Sequence, residues 1–118
     1  MNISKFTQKS VQAVQDLEKV AYEYGNQEIE EEHLLYALLT QEDSLILKLI
    51  EKMEIQKEYF IDTVKKALDA KVKVSGGELR FGQYLNKALV SAEDEAKAMG
   101  DEYVSVEHLF LSMLKNPS

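Results

Sequence analysis

Cysteine is absent, which excludes disulfides, zinc–thiolate sites and thiol catalysis and leaves the redox compartment open on that count. Cations are scarce: 14 Lys plus Arg stand against 21 Asp plus Glu, a formal net charge of −7. Because nucleic-acid affinity comes mainly from neutralising phosphates, neither nucleic acid nor an anionic membrane is expected as a partner. Long apolar runs are missing too. The longest, Leu34 to Leu39, is too short for a transmembrane span and lies too far inside the chain for a secretory signal, which needs about 7 to 15 apolar residues near the start. The opening MNISKFTQKS has no such character, and a soluble cytoplasmic domain is the expectation. Proline occurs once, at Pro117, and the only glycine pair is Gly76–Gly77, so long stretches carry no breaker.

What is present is globular. The 118 residues are 45% hydrophobic and 30% charged, a balance that excludes disorder and low complexity; one domain of this size buries roughly two-thirds of its unfolded surface. Apolar residues recur at Val11, Val14, Leu17, Ala21 and Tyr24, the three-and-four spacing of a helix, which Gly25 ends and Ser4 or Thr7 caps. A second helix spans about Glu31 to Leu39 with Leu34, Leu35, Leu38 and Leu39 inward. A third follows Asp43–Ser44 through Leu45, Leu49 and Met53, and a fourth carries Phe60, Val64, Ala67 and Leu68. Strand-like alternation is confined to Val72 and Val74, in a segment that reads as a linker over 71–78.

Beyond that linker the pattern returns. Laying Phe6 to Thr40 over Phe81 to Lys115 at an offset of 75 needs no gap, and ten of 35 pairs are identical: Phe6/Phe81, Gln8/Gln83, Ala13/Ala88, Glu18/Glu93, Ala21/Ala96, Gly25/Gly100, Glu32/Glu107, His33/His108, Leu34/Leu109 and Leu39/Leu114. About two would match by chance. The chain therefore reads as an all-α tandem, pseudo-twofold repeat of a four-helix unit: repeat one over 1–70, linker 71–78, and a partial repeat two over 79–118, cut to about two helices. Counterparts of Ser44 to Ala70 would fall at positions 119 to 145, so Val106, Phe110 and Met113 are expected to be less covered than Leu34, Leu35 and Leu38.

The doubled Glu-His-Leu, at Glu32-His33-Leu34 and Glu107-His108-Leu109, suggests a metal or acid–base site. Adjacent helical residues point about 100° apart, however, and the H-E-x-x-H spacing is lacking. Each histidine is better read as packing near a helix start while it bonds a backbone group. Gly77 to Gly82 has the first spacing of a phosphate loop, but Gln83-Tyr84 stand where Lys and Ser or Thr are required, so no nucleotide site is read there. The acidic cluster Glu28, Glu30, Glu31 and Glu32 complements a helix dipole. Of the ten aromatics, most are expected in the core.

These residues resemble a family. Lys5-Phe6-Thr7-Gln8-Lys9-Ser10, Tyr24-Gly25-Asn26, Glu32-His33-Leu34-Leu35-Tyr36-Ala37-Leu38-Leu39 and Asp101-Glu102-Tyr103-Val104-Ser105-Val106-Glu107-His108-Leu109 are similar to the Clp N-terminal domain of Hsp100 chaperones, most of all to that of the ClpB disaggregases. The resemblance implies a module tethered before two AAA+ rings of a homohexamer. ATP and magnesium would belong to those rings and no cofactor or metal to this chain, itself a non-enzymatic monomer. It also implies unfolded or aggregated polypeptide as partner, with adaptor proteins a further one. The family's polar residues of substrate engagement match Thr7, Asp101 and Glu107, with Tyr103 and Leu109 as apolar groove candidates by position. Plainer roles exist for the polar three: Thr7 as an N-cap, Glu107 as a dipole partner, Asp101 as a turn residue. The alternatives are an adaptor-docking N-domain of a proteolytic Clp unfoldase (ClpC or ClpA type) and a free-standing helical regulator.

Overall fold

A computed structural model describes residues 3–117. Among them, six α-helices follow one another: α1 (Gln8–Glu23), α2 (Glu31–Leu39), α3 (Leu45–Lys52), α4 (Lys57–Asp69), α5 (Gln83–Ala98) and α6 (Val106–Lys115). Four belong to the first unit and two to the second, as the offset requires. Thr7 caps α1, its hydroxyl accepting from Ser10 N–H at 3.3 Å. Gly25 and Gly100 then take positive φ, 69° and 73°, the left-handed turn that ends a helix cheaply only with glycine. Within each unit the first helix packs on the second, α1 on α2 and α5 on α6.

The two units are tied together by exchanged strands. Residues Glu28–Ile29 (β1) pair in parallel with Arg80–Phe81 (β2), while Phe6 forms an isolated parallel bridge with Val104. Phe6 and Phe81 are repeat counterparts, as are Ile29 and Val104, so the two pairings are one pairing made twice. The hydrogen bonds repeat it: Gly82 N–H donates to Ile29 C=O at 2.8 Å, and Thr7 N–H to Val104 C=O at 3.0 Å. Each unit's opening strand thus lies against the other unit's interhelical strand.

One continuous core results, built on Leu17, Leu34, Leu38, Ile46, Ile50, Leu68, Leu85, Leu89 and Leu109. Three expectations change. The strands lie at Glu28–Ile29 and Arg80–Phe81, and not at Val72 and Val74, which are exposed. On α3 the buried pair is Ile46 and Ile50, with Leu45 and Met53 outward; the helix meets α2, α4 and α6, and those contacts select the Ile46/Ile50 row. Of the aromatics, only Phe6 among the described residues is fully buried, and Tyr22, Tyr59, Tyr84 and Tyr103 are exposed.

Coverage of the second unit is uneven. Val106 is buried, 6% exposed against 0% for Leu34 and Leu38, where α3 packs on α6. Phe110 and Met113 are half-buried as Leu35 is. The clearest contrast is Leu114, 61% exposed, against its counterpart Leu39 at 2%. An open apolar groove of about 460 Å³ runs there, lined by Leu35, Ile50, Met53, Phe60, Phe110 and Leu114 among others.

The buried bridge residue should dominate aromatic contributions to stability. Phe6→Ala is expected to cost roughly 3 to 5 kcal/mol, and Tyr22→Ala, at an 81% exposed side chain, no more than about 0.5 kcal/mol, by urea unfolding followed in the far ultraviolet.

Candidate functional site

Both histidines stand at the third position of their helices and do the same work. Glu30 N–H donates to His33 Nδ1 at 2.9 Å, and Ser105 N–H to His108 Nδ1 at 2.9 Å. Histidine here fills the place that Glu or Gln holds in a capping box. Because Nδ1 accepts, the ring proton resides on Nε2, which donates to Asn26 Oδ1 at 2.9 Å in one unit and to Asp101 Oδ2 at 2.8 Å in the other. Asn26 and Asp101 are repeat counterparts, each directly after its left-handed glycine. The histidines are therefore cap and buttress, as the sequence suggested, and Asp101 has a structural task of its own. Among the described residues no three metal-binding side chains cluster.

Burial of His33 holds its imidazole below the usual histidine range; the Lys71 ammonium acts in the same direction, and Glu30 and Glu32 oppose it. Lys71 bridges Glu30 at 2.8 Å and Glu32 at 3.4 Å. Burial works against that ammonium too, but the Glu30 hydrogen bond and the Glu32 charge outweigh it and raise Lys71 above its ordinary value. The acidic cluster thus does more than complement a dipole: it holds a cation from the linker, and Glu28 holds Arg80 at 3.5 Å.

Thr7 and Glu107, from opposite ends of the chain, line a single open cleft of about 260 Å³ with Lys9, Asp43, Leu45 and Val106. The Phe6–Val104 bridge brings them together, since it sets the start of α1 beside the start of α6. The third wall is the loop between α2 and α3, which sequence reasoning did not implicate. Gln41 donates to Lys9 C=O at 2.9 Å, and Lys9 Nζ to Glu42 C=O at 2.8 Å, while Asp43 turns the chain at φ 54°. Nothing in a polar loop signals that contact, which is purely tertiary.

The remaining candidates divide. Tyr103 is exposed on the loop leading into α6 and stands outside the lining of the Thr7–Glu107 cleft. Leu109 is 1% exposed and belongs to the core, so its assignment as a groove residue is corrected. Two positions along a helix turn the side chain by about 200°, and with Glu107 outward Leu109 faces in. Asp101 is half-exposed but committed to His108, and it does not line the Thr7–Glu107 cleft.

The family model described as "Clp repeat (R) N-terminal domain" matches residues 5–118. The chaperone protein ClpB of Nitratidesulfovibrio vulgaris is 39% identical over 123 aligned positions, which take in 100% of this chain and 14% of that protein. The chain thus spans about one-seventh of the length of that relative. In structure it is similar to the Hsp104 N-terminal domain of Candida albicans, with a TM-score of 0.85, 20% identity, and coverage of 95% of this chain and 75% of the other. It is also similar to a ClpV N-domain solved in complex with a VipB peptide, with a TM-score of 0.75, 20% identity, and coverage of 96% and 69%. At such identities the two structures show the fold and establish nothing finer.

The two buttresses should differ in worth. Asn26→Ala strands a buried His33 Nε2–H and is expected to cost roughly 1 to 3 kcal/mol. Asp101→Ala, at a half-exposed partner, should cost about 1 kcal/mol or less. Parallel urea titrations measure both, and equal losses would contradict this ranking.

Proposed function

The chain belongs to the Clp repeat N-terminal domain family, and from that membership we propose that it is the substrate-engaging N-terminal domain of a cytoplasmic Hsp100 disaggregase. In this reading it binds unfolded or aggregated polypeptide and leaves ATP and magnesium to the AAA+ rings of a hexameric parent. The observation that carries it is the shared cleft, because two of the three polar residues matched to substrate engagement, Thr7 and Glu107, meet there from separate repeats. Leu45 and Val106 offer apolar wall, and Glu107 an acceptor for backbone amides of an extended segment. The resident hydrogen bonds of Asp101 leave it the supporting role of fixing His108, and through it the start of α6. The affinity is expected to be weak, since a disordered client loses conformational freedom on docking.

A ClpV N-domain holds a VipB peptide, which supports a polypeptide as the class of ligand. That ligand is a defined peptide, and it lends the same support to the alternative in which the domain docks an adaptor. Competition separates the two: an unfolded client displaced by peptides of unrelated sequence favours direct engagement, and displacement by one adaptor alone favours docking.

The domain boundaries belong to the same proposal. In this repeat reading, two further helices would cover the exposed Leu114 and the apolar groove beside it. A chain extended to about residue 145, as the repeat offset suggests, should melt at higher temperature, and an unchanged Tm would count against the extension.

Titration of a labelled unfolded peptide tests the cleft. Tyr103→Ala, and the Thr7→Ala/Glu107→Ala pair, should each weaken binding by roughly five- to tenfold, with added salt changing it little. Circular dichroism controls for folding, since loss of the Thr7 cap alone costs about 1 kcal/mol. Equal affinity in every variant would leave these residues as caps.

A further inference from the structure

The segment joining the two repeats, residues 71–78, is fastened by polar contacts, and the next residue, Leu79, packs against the core. Val72 is 80% exposed and Val74 is exposed as well, so neither apolar side chain anchors it to the core. Its fastenings are the Lys71 bridges to Glu30 and Glu32, Lys73 Nζ on the carbonyls of Tyr24 at 2.6 Å and Leu68 at 3.1 Å, Val74 N–H on Gly25 C=O at 2.9 Å, and Asn26 Nδ2–H on Val72 C=O at 3.1 Å. A segment held by hydrogen bonds without apolar burial sits at the low end of local stability.

Asn26 is the pivot of this arrangement. Its Oδ1 accepts from His33 Nε2–H and its Nδ2 donates to Val72, so a continuous chain of hydrogen bonds runs from Glu30 N–H through the imidazole and the amide to the backbone of the strap. A second proton on His33 must go to Nδ1, where Glu30 N–H already points. Two donors would then face each other, and the ring must turn or leave.

We propose that His33, Asn26 and the Val72 carbonyl form a latch that protonation of the imidazole opens, freeing residues 71–78 from the wall of the polar cleft they share with Gln27, Glu28 and Arg80. The charged groups facing the ring are Lys71 from the strap and Glu30 and Glu32 from α2. An imidazolium repels the Lys71 ammonium and competes with it for both carboxylates, which weakens the strap's ionic fastening as well as its hydrogen bond. The neutral ring is the form the latch requires, so the latch is complete above the open-state value of about 6.5. As pH falls below that value, the open form binds the extra proton and the closed form does not. The second repeat carries no such latch: His108 Nε2–H donates to the Asp101 carboxylate, which has no N–H of its own to hold a strap.

Hydrogen exchange read residue by residue between pH 7.5 and 5.5, corrected for intrinsic rates, is the test, with nitrogen-15 spectra of the His33 ring recorded alongside. Protection of the Val74 amide should begin to fall below about pH 6.5 and drop on the order of tenfold by pH 5.5, staying below that of Leu17 and Leu89 in the core throughout, because the strap opens without global unfolding. His33→Gln should abolish the pH dependence at Val74. The latch is overturned if Val74 protection stays flat between pH 7.5 and 5.5, if Val74 is as protected as Leu17 and Leu89, so that the strap opens only with the core, or if His33→Gln retains the wild-type response. The first two outcomes are read on the unaltered protein and do not depend on the variant folding.

Discussion

The exchanged strand pairing is the constraint on which the rest of this domain depends. Two helical hairpins, α1 with α2 and α5 with α6, would each present an apolar face with too little partner surface to fold alone. The parallel contacts Phe6–Val104 and Ile29–Phe81 fix the hairpins in one relative position, so that Leu17 and Leu34 of one share a core with Leu85, Leu89 and Leu109 of the other. These strands contribute few hydrogen bonds, but each lies at a helix start and sets where that helix begins. The position of every capping group, and of the Thr7–Glu107 cleft, follows from that placement.

Helix starts are otherwise a liability here, because their first N–H groups lack intrahelical acceptors and both interhelical strands run beside the core. Histidine at the third position resolves it twice. It accepts the N-cap amide at one nitrogen and passes its own proton to a residue in the preceding turn at the other. Left-handed glycine, buttress residue, interhelical strand and capping histidine form one unit, which explains why Gly25/Gly100 and His33/His108 are both among the identical pairs.

Much of this is legible in the sequence, for identifiable reasons. Helix lengths are readable because Gly25, Gly100 and the Ser44 cap punctuate unbroken apolar periodicity, and the duplication because the positions that must be small or apolar at the hairpin contacts, Ala13/Ala88 and Ala21/Ala96, did not drift. The strands are not readable: two residues are too few to show alternation, and Val72 and Val74, which do alternate, face solvent. The α3 face was ambiguous because Leu45, Ile46, Leu49 and Ile50 offer two apolar rows, and only packing against α2, α4 and α6 decides between them. The cleft was half legible. Thr7 and Glu107 could be named, whereas the α2–α3 loop enters through bonds between Lys9, Gln41 and Glu42 that leave no trace in local sequence, and Leu109 misled because neighbours in a motif are not neighbours on a helix.

Where the repeats differ is as informative as where they agree. Thr7 corresponds to Gly82, where a Cβ would stand 2.8 Å from Glu28 Oε1 and 3.3 Å from Ile29 C=O, so a side chain there requires Glu28 to move aside. Asn26 corresponds to Asp101, and only the amide has a donor to spare for Val72. Glu31 corresponds to Val106, and both are buried, yet the acid borders the apolar groove while the valine borders the Thr7–Glu107 cleft. Each difference falls on a surface where symmetry is already broken, by the strap along the first repeat and by α3 across the second. The duplicated core remained under a common constraint, and the residues free to diverge were those facing whatever lies on one repeat and not on the other.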